Sequence, residues 1–173
     1  MDRSRDVGRD VGIVLGSFVL LGIGAGVLWW VLAPTASFTK VRTGGAMSEI
    51  ELGIQFAAVG WYVVIGAVAG LLAGVVLTWW RDRDALLTSL LVLGGSVVAA
   101  LLMMLVGRQL GPTDPEVVLA TARVGARVPD ALHLTTWSAY LAWPVAALAG
   151  TLVVLWGRAA DLPADDASRF GAG

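Results

Sequence analysis

Phe56–Trp80 reads FAAVGWYVVIGAVAGLLAGVVLTWW, an apolar run without a single charge. As an α-helix rising about 1.5 Å per residue it is about 37 Å long, enough to cross a hydrocarbon core of about 30 Å with some tilt. Gly66, Gly70 and Gly74 recur at every fourth position and stack on one helix face. Small residues at that spacing let a second backbone come close, a main source of helix association in lipid. The run predicts a membrane-spanning helix with a defined packing face.

Three further apolar runs flank it. Residues 11–33 form the first span; they are too long for a secretory h-region and end in Trp29-Trp30 and Pro34, which predicts an uncleaved helix. Gly12, Gly16, Gly22, Gly24 and Gly26 crowd this span, and Gly22 and Gly26 are candidate packing positions against the Gly66/Gly70/Gly74 face. Residues 85–107 form the third span. Its only link to residues 56–80 is Arg81-Asp82-Arg83-Asp84, so short that the two spans are expected to be antiparallel neighbours. Residues 137–156 form the fourth, where Pro144 is expected to kink the helix one third of the way along and Ala142, Ala146, Ala149 and Gly150 offer a small face.

Two longer segments, 34–55 and 108–136, join the spans on one side. Ser37–Thr43 is rich in β-formers and is followed by Gly44-Gly45. Two readings compete here. In one, Gly44-Gly45 closes a hairpin that sets Lys40 opposite Glu49. In the other, Ser48-Glu49-Ile50-Glu51 is a capping box that starts the second helix, and this is favoured because the apolar pattern runs on from Glu51. The second reading leaves one strand in need of a partner. In segment 108–136, Asp114-Pro115-Glu116 marks a short helix start, residues 123–128 alternate as a strand, Pro129-Asp130 is a turn, and Leu132-His133-Leu134 is a further strand candidate. The expected fold is an all-α membrane protein: a four-transmembrane-helix bundle of residues 11–156 with a small extracytoplasmic β-containing cap built by the two outer loops. Leu32-Ala33-Pro34-Thr35 and Leu110-Gly111-Pro112-Thr113 stand at equivalent helix exits. They raise the alternatives of a duplicated two-span unit and of shared helix-exit chemistry.

Composition agrees with the membrane class: 57% of the 173 residues are hydrophobic and 14% charged, against about 25% charged in a soluble domain. Mean hydropathy is +0.79. A net charge of −1 gives no basic footprint for nucleic acid, and the absence of cysteine excludes thiolate catalysis, disulfides and Cys-type zinc sites. Arginine outnumbers lysine eleven to one amid much Ala, Gly and Val, the usage of a GC-rich bacterial genome. Residues 1–10, 81–84 and 157–173 carry seven arginines in 31 residues, whereas 34–54 and 108–136 carry five Lys or Arg in 50. The positive-inside rule then puts both termini in the cytoplasm, with residues 1–10 a polar tail and 157–173 a disordered one, in the bacterial cytoplasmic membrane. Trp29, Trp30, Trp61, Tyr62, Trp137 and Tyr140 are expected as an outer aromatic belt and Trp79, Trp80 and Trp156 as an inner one.

The motifs WWVLAP (29–34), AGLLAGVVLTWWRDR (69–83), GRQLGP (107–112) and AWPVAAL (142–148) resemble a family of small actinobacterial integral membrane proteins of unknown function. The resemblance covers about residues 15–156. It implies a four-span inner-membrane protein with an outer β-containing segment and transfers no catalytic or ligand residue.

No catalytic, metal or cofactor constellation is legible. His133 is the lone histidine, and Ser89, Ser96 and Ser138 have no base at membrane depth. The expectation is a non-enzymatic envelope scaffold or accessory subunit that acts through helix packing and its cap. A small oligomeric transporter or channel for a neutral solute is the alternative, weakened by the lack of ionisable residues in the spans. The bilayer is the expected partner, with a second copy or another membrane protein as candidates beside it. Arg108, Arg123, Arg127 and His133 share the second outer segment, where an anionic headgroup or cell-wall precursor could bind. The competing account is internal pairing with Asp114, Glu116 and Asp130.

Overall fold

The computed structural model describes residues 3–80 and 85–160. It contains α1 (Arg3–Leu32), β1 (Ser37–Val41), β2 (Gly44–Ala46), α2 (Glu49–Trp80), α3 (Ala85–Leu110), α4 (Pro115–Thr121), β3 (Arg127–Pro129), a 3-10 turn (Trp137–Leu141) and α5 (Ala142–Ala160). Four helical segments are long and apolar enough to cross a membrane. Helix α1 begins at Arg3, well before the apolar run, and α2 begins at Glu49, seven residues ahead of the expected span. The tail beyond Ala160 lies outside the described residues, as does the 81–84 link.

The helices pair differently from the sequence expectation. The glycine face of α2 lies against α5 and not against α1. A Cβ on Gly70 would stand 2.7 Å from the Trp143 carbonyl oxygen, and one on Gly66 would stand 2.7 Å from the Trp143 ring. One on Gly74 would collide with the Ala147 carbonyl. Gly22 and Gly26 instead admit α3: Cβ atoms there would come within 2.8 Å of the Ala99 oxygen and 2.9 Å of the Met103 oxygen. Helix α3 returns the favour to α1, since Phe18 fills the space over Gly95 and Trp29 that over Gly107. Helices α2 and α3 share little surface despite their short link. A tight connection fixes direction, but the extent of contact follows the closest attainable packing, and the small faces lie elsewhere.

Both intimate pairs are parallel. Phe18 meets Gly95, Gly22 meets Ala99 and Gly26 meets Met103 in one pair. Gly66 meets Trp143 and Gly70 meets Ala147 in the other.

The bundle centre is filled by large side chains. Trp29, Trp143, Tyr62, Phe18 and Met103 are all fully buried. Trp29 Nε1 donates to the Ala58 carbonyl at 2.8 Å, Tyr62 Oη donates to the Ala100 carbonyl at 2.8 Å, and the Trp29 and Tyr62 rings meet edge to face at 5.2 Å. Trp29 and Tyr62 are therefore core residues and not members of the expected aromatic belt. Trp30, Trp61, Trp79, Trp80, Trp137 and Trp156 remain on the surface. Pro144 sits in the first turn of α5, just after the 3-10 turn. There its missing N–H is least costly, so the expected mid-helix kink is replaced by a junction between two helix types. Ala149 is exposed, and Ala147 with Gly150 carries the close contact.

Segments 34–55 and 108–136 fold together into one three-stranded sheet of order β2-β1-β3. Residues 37–51 hold both a hairpin and a helix start, but the expected hairpin is corrected in turn and register: Gly44-Gly45 lies in β2 and does not close it. Its turn is Arg42-Thr43, and Lys40 opposes Gly45, not Glu49. Residues 48–51 are thereby free to start α2, and Ser48 Oγ accepts from the Glu51 amide at 3.3 Å. Glu51 does not complete a reciprocal box; its carboxylate accepts from the Ser37 amide at 2.8 Å and ties β1 to α2. Strand β3 is shorter than expected and begins at Arg127, after a turn in which Gly125 has φ +88°. It pairs antiparallel with β1, with Thr39 opposite Arg127 and Phe38 opposite Val128. Leu132-His133-Leu134 is not a strand. Leu132 is buried instead, as part of the helical core.

Candidate functional site

Within the helices the hydroxyls are mostly spent on structure. Ser17, Ser89 and Ser96 each donate to a carbonyl of their own helix, and Thr78 donates to Thr151, which donates onward to Ala147. Thr88 Oγ1 is a buried side-chain polar atom without a partner among the described residues. A long groove of about 840 Å3 between α1 and α2 is apolar but for Ser17, from Leu32 and Trp61 at one end to Ile13 and Trp80 at the other.

The polar chemistry gathers at one end, in a cleft of about 720 Å3 between the sheet and α4. Strand alternation puts Phe38 and Lys40 on the same sheet face, and both line the cleft. Helix α4 closes the other side. Asp114 caps it, its Oδ1 accepting from the Glu116 amide at 3.1 Å, and Pro115 occupies the first turn. Leu119 of α4 lies so close to β2 that a Cβ on Gly45 would stand 2.9 Å from it, which explains a glycine in mid-strand. Arg108, in the last turn of α3, and the stretch Asp130-Ala131 with His133 complete the wall.

A small, partly buried network braces the floor. Gln55 of α2 donates from Nε2 to Asp130 Oδ2 at 3.1 Å, and the same nitrogen lies 3.3 Å from His133 Nε2. His133 Nδ1 is 2.9 Å from the Ala131 carbonyl. Asp130 is 4% exposed. Burial pushes its carboxyl above the ordinary carboxylate range, and the neighbouring His133, 3.8 Å away, pulls it back.

Of the four residues expected to face an anion, the structure brings Arg108 and His133 to the cleft. Arg123 and Arg127 are exposed and do not line it. Nor do the arginines pair internally: among the described residues, neither Lys40 nor any of Arg108, Arg123 and Arg127 lies within 4.0 Å of a carboxylate oxygen of Asp114, Glu116 or Asp130. Sequence reading missed Lys40 and the cleft-lining role of the three carboxylates. The alternation of Phe38 and Lys40 in β1 was the available signal, but it names a face only once the strand has partners.

No known protein family, curated protein or solved structure matches this chain. The site therefore has to be interpreted from its own geometry. Among the described residues no three His, Asp or Glu side chains converge closely enough to hold a metal ion, so the charged groups stand spread around the cleft.

Proposed function

We propose that this chain is a non-enzymatic, multi-pass protein of the bacterial cytoplasmic membrane that serves as an envelope scaffold or accessory subunit. Its sheet and α4 form an extracytoplasmic cap. The observation that carries this reading is the division of labour in the molecule. The bundle is plugged at its centre by Trp29, Tyr62, Met103 and Trp143, all fully buried, while Lys40, Arg108, Asp114, Glu116, Asp130 and His133 line one cleft at the sheet end. A plugged, uncharged bundle suits anchoring better than conduction, because ion and proton paths through lipid are marked by ionisable or water-lined interiors. The cap is tied to the helices by Ser37 to Glu51 and Gln55 to Asp130, so it would present its cleft in a fixed orientation. The seven-to-five arginine and lysine distribution supports cytoplasmic termini.

Reporter fusions test the placement and proteoliposomes test the role. Fusions at Gly44 and Gly125 are expected to report the outer side and one at Asp82, in the link outside the described residues, the cytoplasm. Purified protein in liposomes is expected to leave glycerol and potassium flux at the protein-free rate. A cytoplasmic Gly44 overturns the placement, and a protein-dependent flux overturns the non-transport role.

A further inference from the structure

We propose that the cleft between the sheet and α4 is a binding site for a small zwitterion, a ligand that carries an ammonium group and a phosphate or carboxylate a few bonds apart. The observation is the juxtaposition of opposite charges that face one cavity without pairing. Lys40 and Arg108 line it from β1 and α3, and Asp114 and Glu116 line it from the start of α4. None of the four makes an ion pair within 4.0 Å among the described residues. Asp130, buried and held by Gln55, adds a further carboxylate at the floor beside His133.

Size and charge together select the ligand class. The cleft, at about 720 Å3, falls within the usual range of small-molecule sites, about 300–1,000 Å3. Lys40 and Arg108 line the same cleft as Asp114 and Glu116, so a ligand that enters it meets charges of both signs. A simple anion drawn to Lys40 and Arg108 is therefore repelled by Asp114 and Glu116, and a simple cation meets the reverse. A ligand with both signs can satisfy both sides, and the planar fork of Arg108 suits a phosphate or a carboxylate equally. Phe38, Pro115 and Leu119 supply apolar wall for the carbon link between the two ends.

Two sources offer this chemistry: the headgroup of an aminophospholipid and a free solute such as phosphoethanolamine or an amino acid. Arg108 directly follows the apolar run of α3, the height of a headgroup if α3 crosses the bilayer. The lipid source thus rests on the membrane reading, whereas the cleft chemistry does not.

Calorimetric titration of the purified full-length protein in detergent separates these. Free phosphoethanolamine is expected to bind at least about tenfold tighter than inorganic phosphate or ethanolamine alone, a difference of about 1.4 kcal/mol. Arg108→Gln and Glu116→Gln, both at exposed positions, are each expected to lose that preference, while Arg123→Gln, outside the cleft, keeps it. In the lipid arm, delipidated protein is loaded with phosphatidylethanolamine or phosphatidylglycerol and examined by native mass spectrometry. Retention of phosphatidylethanolamine alone, lost in Glu116→Gln, assigns the lipid source; a preference seen only with the free headgroup assigns the solute. Equal binding of phosphate and phosphoethanolamine, together with no headgroup preference in the lipid arm, overturns the proposal. So do Arg108 and Glu116 variants that bind as the wild type does while melting at the same temperature. Detergent titration is indifferent to which side of the membrane the cap occupies, so a failed placement and a failed ligand are told apart.

Discussion

Gly70→Ala adds one methyl group at the closest approach of α2 to α5. The added Cβ would stand 2.7 Å from the Trp143 carbonyl oxygen and 3.4 Å from both the Ala146 Cβ and the Ala147 amide nitrogen. Ordinary contact begins near 3.4 Å, so the first distance is short by about 0.7 Å against a backbone atom that cannot rotate away. The helices must separate by about that amount, and a gap of ~0.5–1 Å forfeits a quarter to a half of each dispersion contact along the seam. Overpacking of this kind costs about 1–3 kcal/mol. Alanine also recovers up to ~1 kcal/mol of helix propensity over glycine, which masks part of the loss. Gly60→Ala removes that ambiguity. It lies on the same helix, gains the same propensity, and its Cβ would meet nothing within 4 Å. The difference between the two variants isolates the clash, and Gly70→Ala is expected to be the less stable by about 1–3 kcal/mol. Thermal unfolding in a mild detergent, followed by size-exclusion of the surviving fraction, measures it. Gly70→Leu should be worse still, and Leu71→Ile, on the exposed side, mild. If Gly70→Ala unfolds together with or above Gly60→Ala, the α2–α5 seam is not the contact described and the argument fails.

Two further outcomes are expected. Cysteines at Thr39 and Arg127, opposed in β1 and β3, should crosslink under mild oxidation because strand partners lie ~4.5–5.5 Å apart at Cα, with Thr39 and Ala57 cysteines as the unpaired control; failure of the Thr39–Arg127 pair in folded protein refutes the shared sheet. Asp130 should make stability rise on acidification. A carboxyl raised in the folded state by burial favours folding while protonated, and that contribution is lost as pH climbs from the ordinary carboxylate value of ~3.9 through the raised one. The melting temperature of the wild type relative to Asp130→Asn should therefore climb as pH falls through the raised value towards ~3.9, and a fall over that last interval would mean that charge and hydrogen bonding outweigh burial.

The four long helices could be read from the chain because each is a local property. An apolar run of sufficient length must form a helix in lipid, where its backbone groups have no other partners, and Phe56–Trp80 meets that condition unaided. The starts of α2 and α4 were legible for the same reason: Ser48 and Asp114 act on amides two or three residues away. Partner choice was not local. Glycine stripes occur in both α1 and α2 and fit each other on paper as well as they fit α3 and α5; only the assembled bundle, where Phe18 meets Gly95 and Trp143 meets Gly66, decides among them. Trp29 and Tyr62 show the same limit, since an aromatic residue at a helix end suits headgroups and core alike until a neighbouring carbonyl, here that of Ala58 or Ala100, comes within reach. The cleft was the least legible part. Lys40, Arg108, Glu116 and Asp130 come from four separate stretches, and they surround one cavity only because strand register and the docking of Leu119 on Gly45 bring those stretches together.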